Sequence, residues 1–122
     1  MADNTFKNNI TSLMESVDGF LNTKTVVGDA VKVGNNVILN TFTNIEHDAT
    51  IGDQCHISTG TMVNGDCKVG ANCFVGSQSV LANGITIGDD IIVGAGSLVR
   101  KSISVKGIYS GNPAVLKIKA KG

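Results

Sequence analysis

The chain has 122 residues, enough for one domain, and its ten basic and ten acidic residues cancel, which argues against a nucleic-acid partner. No apolar run approaches the roughly 20 residues of a membrane span, and the opening MADNTFKNNI lacks the basic-then-apolar order of a signal peptide, so a cytoplasmic protein is expected. Three cysteines without zinc-like spacing argue against a disulfide framework or a structural zinc site.

The chain divides into three segments. In residues 1–24, Phe6, Ile10, Leu13, Met14, Val17 and Phe20 recur at three- and four-residue steps, which predicts an amphipathic helix with Asp3, Asn4 or Thr5 as cap and a short linker. Its expected job is to cap the first coil of a stack of strands, which would otherwise leave an open edge.

Residues 25–106 carry a six-residue repeat. From Val27 to Val105, every sixth residue is Val, Ile or Leu, fourteen in succession without an insertion. The position two residues earlier is small or β-branched, as in Thr43, Ala49, Cys55, Thr61, Cys67, Cys73 and Ser79. Residues two apart in a strand face the same way, so each repeat predicts a short strand with a small and a large residue pointing inward. Gly28, Gly34, Gly52, Gly70, Gly76, Gly88 and Gly94 directly follow the aliphatic, with Asn40 and Asn64 in the same phase. These are expected to supply the left-handed backbone of the corners. Such short strands cannot build a sandwich, but they can wind into a solenoid whose coils lie about 4.8 Å apart. With three strands per coil the repeat becomes 18 residues. Residues 107–122 form a tail whose Lys117, Lys119 and Lys121 are expected in solvent, where they could also meet the phosphates of a coenzyme.

The repeat assigns directions to the polar residues. Cys55, Cys67 and Cys73 share an inward phase and read as small core residues, not nucleophiles. His56 lies between inward Cys55 and Ile57, so it points out from the middle of a flat side. His47 follows inward Ile45 by two and belongs to a corner. The two histidines then lie on opposite flanks of one prism and can share a site only across a boundary between chains. Glu46, His47 and Asp48 break the local glycine-or-asparagine rule, and such departures often mark function.

The [LIV]-G-x-x-[small]-x pattern and the closing GIYSGNPAVLKI resemble the hexapeptide-repeat acyltransferases. NVILNTFTNIEHDATIGDQCHIS is similar to the sialic-acid and bacillosamine-type sugar acetyltransferases, in which an EHD or EHE triplet holds the catalytic histidine. The resemblance covers about residues 27 to 118. It implies an all-β left-handed parallel β-helix of triangular section, a homotrimer with acetyl-CoA sites between subunits, and a sugar hydroxyl or amine as acceptor. It also implies His47 as general base with Asp48 as its orienting carboxylate, Glu46 being the competing partner. For the donor it implies His56, Gly65, Ser77 and Ala95. Gly65 stacks one coil beyond His47, and Ser77 and Ala95 stack in one column, where small residues chosen for packing are the plainer reading. No metal is expected, because zinc carbonic anhydrases on this fold need three histidines and the chain has two. The nucleotide-sugar-binding domain that usually precedes the β-helix in those relatives has no counterpart in the residues before the repeat, which hold no GxGxxG loop. The expected acceptor is therefore a smaller sugar or amine, one held by the trimer groove, or one presented by a partner. Rival readings are a non-catalytic trimeric scaffold, and an acyltransferase with another donor or a non-sugar acceptor.

Overall fold

The computed structural model describes residues 20–21 and 24–120. The strands run, in chain order, β1 (Phe20–Leu21), β2 (Val26–Val27), β3 (Lys32–Val33), β4 (Ile38–Leu39), β5 (Asn44–Ile45), β6 (Thr50–Ile51), β7 (His56–Ile57) and β8 (Met62–Val63). They continue as β9 (Lys68–Val69), β10 (Phe74–Val75), β11 (Val80–Leu81), β12 (Thr86–Ile87), β13 (Ile91–Val93), β14 (Leu98–Val99), β15 (Gly107–Gly111) and β16 (Ala114–Lys119). Every third strand joins the same parallel sheet: β1-β4-β7-β10-β13 make the first face, β2-β5-β8-β11-β14 the second, and β3-β6-β9-β12 the third. Partners are 18 residues apart, as in Ile38↔His56 and Asn44↔Met62, so the chain is a three-sided parallel β-helix. Among the described residues no helix is long and apolar enough to cross a membrane.

The core is the six-step column. Twelve of its fourteen aliphatics are buried, Val33 is half-buried, and Val105 is 46% exposed. The expectation for Val105 is therefore corrected, and the register gives the reason. Ile103, not Val105, bridges Ile87, and Gly107 pairs with Ile91, so the last coil is 16 residues long and the phase slips by two. Tyr109 then fills the inward place opposite Val93, and its hydroxyl donates to Val105 O at 2.6 Å. Two boundaries also move. Phe20, expected in the helix of residues 1–24, lies in β1, which pairs with β4. The rest of that helix falls outside the described residues. At the other end the parallel first face continues through β15, and β16 folds back on it antiparallel, so the tail is a hairpin with Lys117 and Lys119 exposed.

The small inward residues do more than fill space. Thr25 Oγ1, Thr61 Oγ1 and Ser79 Oγ each donate to a corner carbonyl of the coil, Asn40 O, Gly76 O and Gly94 O, all at 3.0 Å. Cys55, Cys67 and Cys73 donate through Sγ to Gly70 O, Ala82 O and Gly88 O at 3.0, 3.0 and 3.1 Å. A tight corner turns carbonyls toward the interior, where an unpaired one is costly, and these short side chains reach them. The contact with Cys73 and burial push the Cys55 thiol up, burial pushes Cys67 up, and the contact with Cys55 draws Cys73 down.

The left-handed residue of each corner is not the glycine after the aliphatic. Positive φ recurs at every sixth residue from Lys24 to Gly96, through Asn36, Asp48, Gln54, Gly60, Asp66 and Asn72. Asn, Asp and Gly suit that backbone, whereas Phe42, at φ 62°, is a bulky exception. The glycines one residue past the strand are needed for close approach instead. A Cβ at Gly52 would sit 2.7 Å from Gly70 C and 2.8 Å from Gly70 O, and one at Gly76 2.5 Å from Ala95 N.

Candidate active site

His47 and Asp48 occupy the corner between the second and third faces. Asp48 has φ +62°, and this left-handed turn swings its carboxylate back toward the preceding residue, where Asp48 Oδ2 meets His47 Nδ1 at 3.0 Å. A straight strand would send the two side chains to opposite sides. Asp48, rather than Glu46, is thus the carboxylate on the ring. The hydrogen bond that Asp48 accepts raises the pKa of His47, aided by the charges of Asp48, Asp66 and Glu46. With Nδ1–H donated to the carboxylate, the lone pair of the neutral ring resides on Nε2. That nitrogen is the one available to take a proton.

Gly65 lies one coil further along the same corner. Asp66 N donates to His47 O at 3.0 Å, which sets the stacking. A Cβ on Gly65 would lie 2.6 Å from His47 Nε2 and 2.7 Å from Cε1. A side chain there would press on the far end of the imidazole in its present position; the φ of Gly65 is not left-handed. Asn83, which sequence reasoning missed, continues the column. Its Nδ2 donates to Gly65 O at 2.8 Å and lies 3.0 Å from the same Cβ position. The signal was present in the 18-residue step, which leads from His47 through Gly65 to Asn83.

His56 projects from the first face, across the core from that corner, as the phase predicts. Its ring meets Phe74 edge-on, with centroids 5.1 Å apart, and its Nε2 lies 3.4 Å from Asn40 Nδ2. An open hollow beside it is lined by Gln54, Asn72, Phe74, Asp90 and Ile92. Ser77 and Ala95 lie elsewhere, stacked on the corner between the first and second faces. Ser77 Oγ contacts Ser58 Oγ at 2.9 Å, and Gly96 N donates to Ser77 O at 2.8 Å. One chain therefore brings together His47, Asp48 and Gly65. It keeps His56 apart from them, and Ser77 and Ala95 in a third place. The outward surfaces differ: the first face shows Ile38, Phe74 and Ile92, the second Val26, Met62, Val80 and Leu98, and the third Lys32, Thr50, Lys68 and Thr86.

Residues 24–65 and 66–101 match the family described as bacterial transferase hexapeptide (six repeats). The chain belongs to this family. No curated protein matches it. Among solved structures of the hexapeptide fold, the acetyltransferase domain of PglB from Neisseria gonorrhoeae, in complex with acetyl coenzyme A, is similar at a TM-score of 0.76 and 22% identity. That match covers 91% of this chain and 65% of the other. PerB from Caulobacter crescentus, in complex with CoA and GDP-perosamine, is similar at a TM-score of 0.65 and 30% identity, over 91% of this chain and 63% of that one. LpxA from Acinetobacter baumannii gives a TM-score of 0.66 at 22% identity, over 80% and 43%. The chain thus spans less than two thirds of each of these proteins.

Proposed function

We propose that this hexapeptide-repeat protein is an acetyltransferase that moves acetyl from acetyl-CoA to a hydroxyl or amine of a sugar or sugar nucleotide, in sites between the subunits of a homotrimer. The observation that carries the reading is the His47–Asp48 pair at 3.0 Å, seated over a glycine that leaves the ring room. A hydroxyl or neutral amine must lose a proton as it attacks a thioester carbon. His47 Nε2 takes that proton, and Asp48 fixes the tautomer and steadies the imidazolium that forms. The attack gives a tetrahedral oxyanion, which collapses as the carbon–sulfur bond breaks, and His47 returns its proton to the departing CoA thiolate. General-base help of this kind is worth about 10² to 10⁴ in rate. Solved members of the fold hold acetyl-CoA, or CoA with GDP-perosamine, which supports the donor and acceptor classes.

Two features support an intersubunit site. His47 and His56 lie on opposite flanks of the prism, and two of its three faces present apolar side chains outward. In a trimer, the His47 corner of one subunit lies against the first face of the next, with His56, Gly65, Ser77 and Ala95 on the donor's path. Acetyl-CoA turnover over a panel of amino sugars, sugar alcohols and their nucleotides, with His47→Ala beside the parent, tests the reading. Transfer by the parent and its loss in the variant are expected. Equal, low thioester cleavage by both would favour a non-catalytic scaffold.

A further inference from the structure

Charge is spread unevenly along the corner that carries His47. The corner stacks coil on coil: Asp48 N donates to Asp29 O at 2.9 Å, Asp66 N to His47 O at 3.0 Å, and Gly84 N to Gly65 O at 2.9 Å. Val99 pairs with Leu81, which brings Arg100 and Lys101 onto the same corner one coil further. From one end to the other, the corner is acidic around the base, with Asp29, Glu46, Asp48 and Asp66. It is neutral at Gly65 and Asn83, and basic at Arg100 and Lys101. Both cations are exposed, and among the described residues neither has a carboxylate partner; the ion pairs there are His47–Asp48 and Lys106–Asp90. Arg100 and Lys101 line a hollow whose other walls are Ile103, Pro113, Ala114 and Val115.

We infer that Arg100 and Lys101 hold the pyrophosphate of the donor, and so select a nucleotide-bearing thioester over a bare pantetheine one. The inference rests on the acetyltransferase reading above. Length fits. Three coils separate His47 from Lys101, about 14 Å along the axis. The arm between a thioester sulfur and the pyrophosphate spans about four to five extended residues, roughly 15 Å. With the thioester carbon at His47 Nε2, an arm laid along this corner brings its phosphates beside Arg100 and Lys101. Charge sets the direction. Toward Asp29 the phosphates would meet carboxylates; toward Lys101 they meet cations, and the neutral arm passes the bare backbone of Gly65 on the way. Ser77 and Ala95, on the donor's proposed path, lie in the same direction from the base. A guanidinium takes two phosphate oxygens at once, and an ammonium adds a point charge beside it.

The test measures transfer from acetyl-CoA, from its 3′-dephospho form and from S-acetylpantetheine, which has no phosphate. It uses the parent, the double variant Arg100→Gln/Lys101→Gln, and His47→Ala. The parent should use the two nucleotide donors alike and S-acetylpantetheine about tenfold less well or worse. The double variant should lose about tenfold to a hundredfold in kcat/KM on both nucleotide donors, the range of charge-assisted hydrogen bonds, through the KM for the donor. Its kcat and its KM for the acceptor should hold, and its loss on S-acetylpantetheine should stay under about threefold. Salt should raise the parent's KM for acetyl-CoA and raise that of the double variant far less. Equal losses on acetyl-CoA and S-acetylpantetheine, or a double variant as good as the parent on acetyl-CoA, would overturn this inference alone. So would a loss confined to the 3′-phosphorylated donor, which would move the contact off the pyrophosphate. No turnover of any donor by the parent, or a His47→Ala variant as active as the parent, would sink the acetyltransferase reading and this inference with it.

Discussion

Gly65→Ala separates the site from the scaffold. The new Cβ would lie 2.6 Å from His47 Nε2 and 2.7 Å from Cε1, where ordinary contact begins near 3.4 Å. The ring must retreat by about 1 Å, a displacement that can cost on the order of 10²-fold in rate when the moved atom is the base. It can retreat freely, since the His47 side chain is 57% exposed and the clash is with its far end. Backbone strain adds nothing, because Gly65 does not have a left-handed φ. Stability should therefore hold, or rise by up to about 1 kcal/mol because alanine narrows the unfolded ensemble. Gly52→Ala is the counterpart. Its Cβ would meet Gly70 C and O, backbone that cannot step aside, and overpacking of that kind costs about 1–3 kcal/mol. Acetyl transfer at saturating donor and thermal unfolding, measured on both variants, give the contrast. Gly65→Ala should lose turnover and keep its melting temperature; Gly52→Ala should lose melting temperature first. Turnover by Gly65→Ala within a factor of three of the parent would refute the placement of the working imidazole over Gly65.

The carboxylate can be tested through pH. His47 acts as a base only when neutral, and its pKa is raised by Asp48, so kcat/KM of the parent should fall off on acidification from a point above pH 6.5. Asp48→Asn removes the charge, moves that limb to lower pH and lowers the plateau about tenfold or more; a limb that stays put would show that another group titrates. In the interior, Thr61→Val deletes the donor to Gly76 O at a fully buried corner and should cost about 1–2 kcal/mol, read as a fall of several degrees in melting temperature. Thr61→Ser keeps the donor and should recover most of it.

The six-step column carried the fold in plain view, because a β-helix turns its cross-section into a sequence period. The same period placed both histidines outside the core and stacked Gly65 on His47. Three things were not legible in it. The left-handed corner residue was misplaced by two positions, because glycine serves two purposes here: Gly60, Gly84 and Gly96 take positive φ, while Gly52 and Gly76 make room for the next coil. The phase slip after Val99 was hidden, because Val105 happens to be aliphatic and continues the pattern while the backbone has already skipped two residues. The corner carbonyls that occupy Thr61, Ser79 and the three cysteines are backbone groups, invisible to a reading of side-chain types. Within the site, the choice of Asp48 over Glu46 needed the φ of one residue, and the bond from Asn83 to Gly65 O needed the coil-to-coil geometry.

The central proposal is that His47 of one subunit works with His56 of the next, and mixing variants tests it most directly. His47→Ala and His56→Ala, each impaired alone, should recover activity when combined into mixed trimers, because some interfaces then pair an intact His47 with an intact His56. Random assembly from equal amounts would restore about one quarter of the parent's sites. No recovery in trimers shown to be mixed would contradict a site shared between chains.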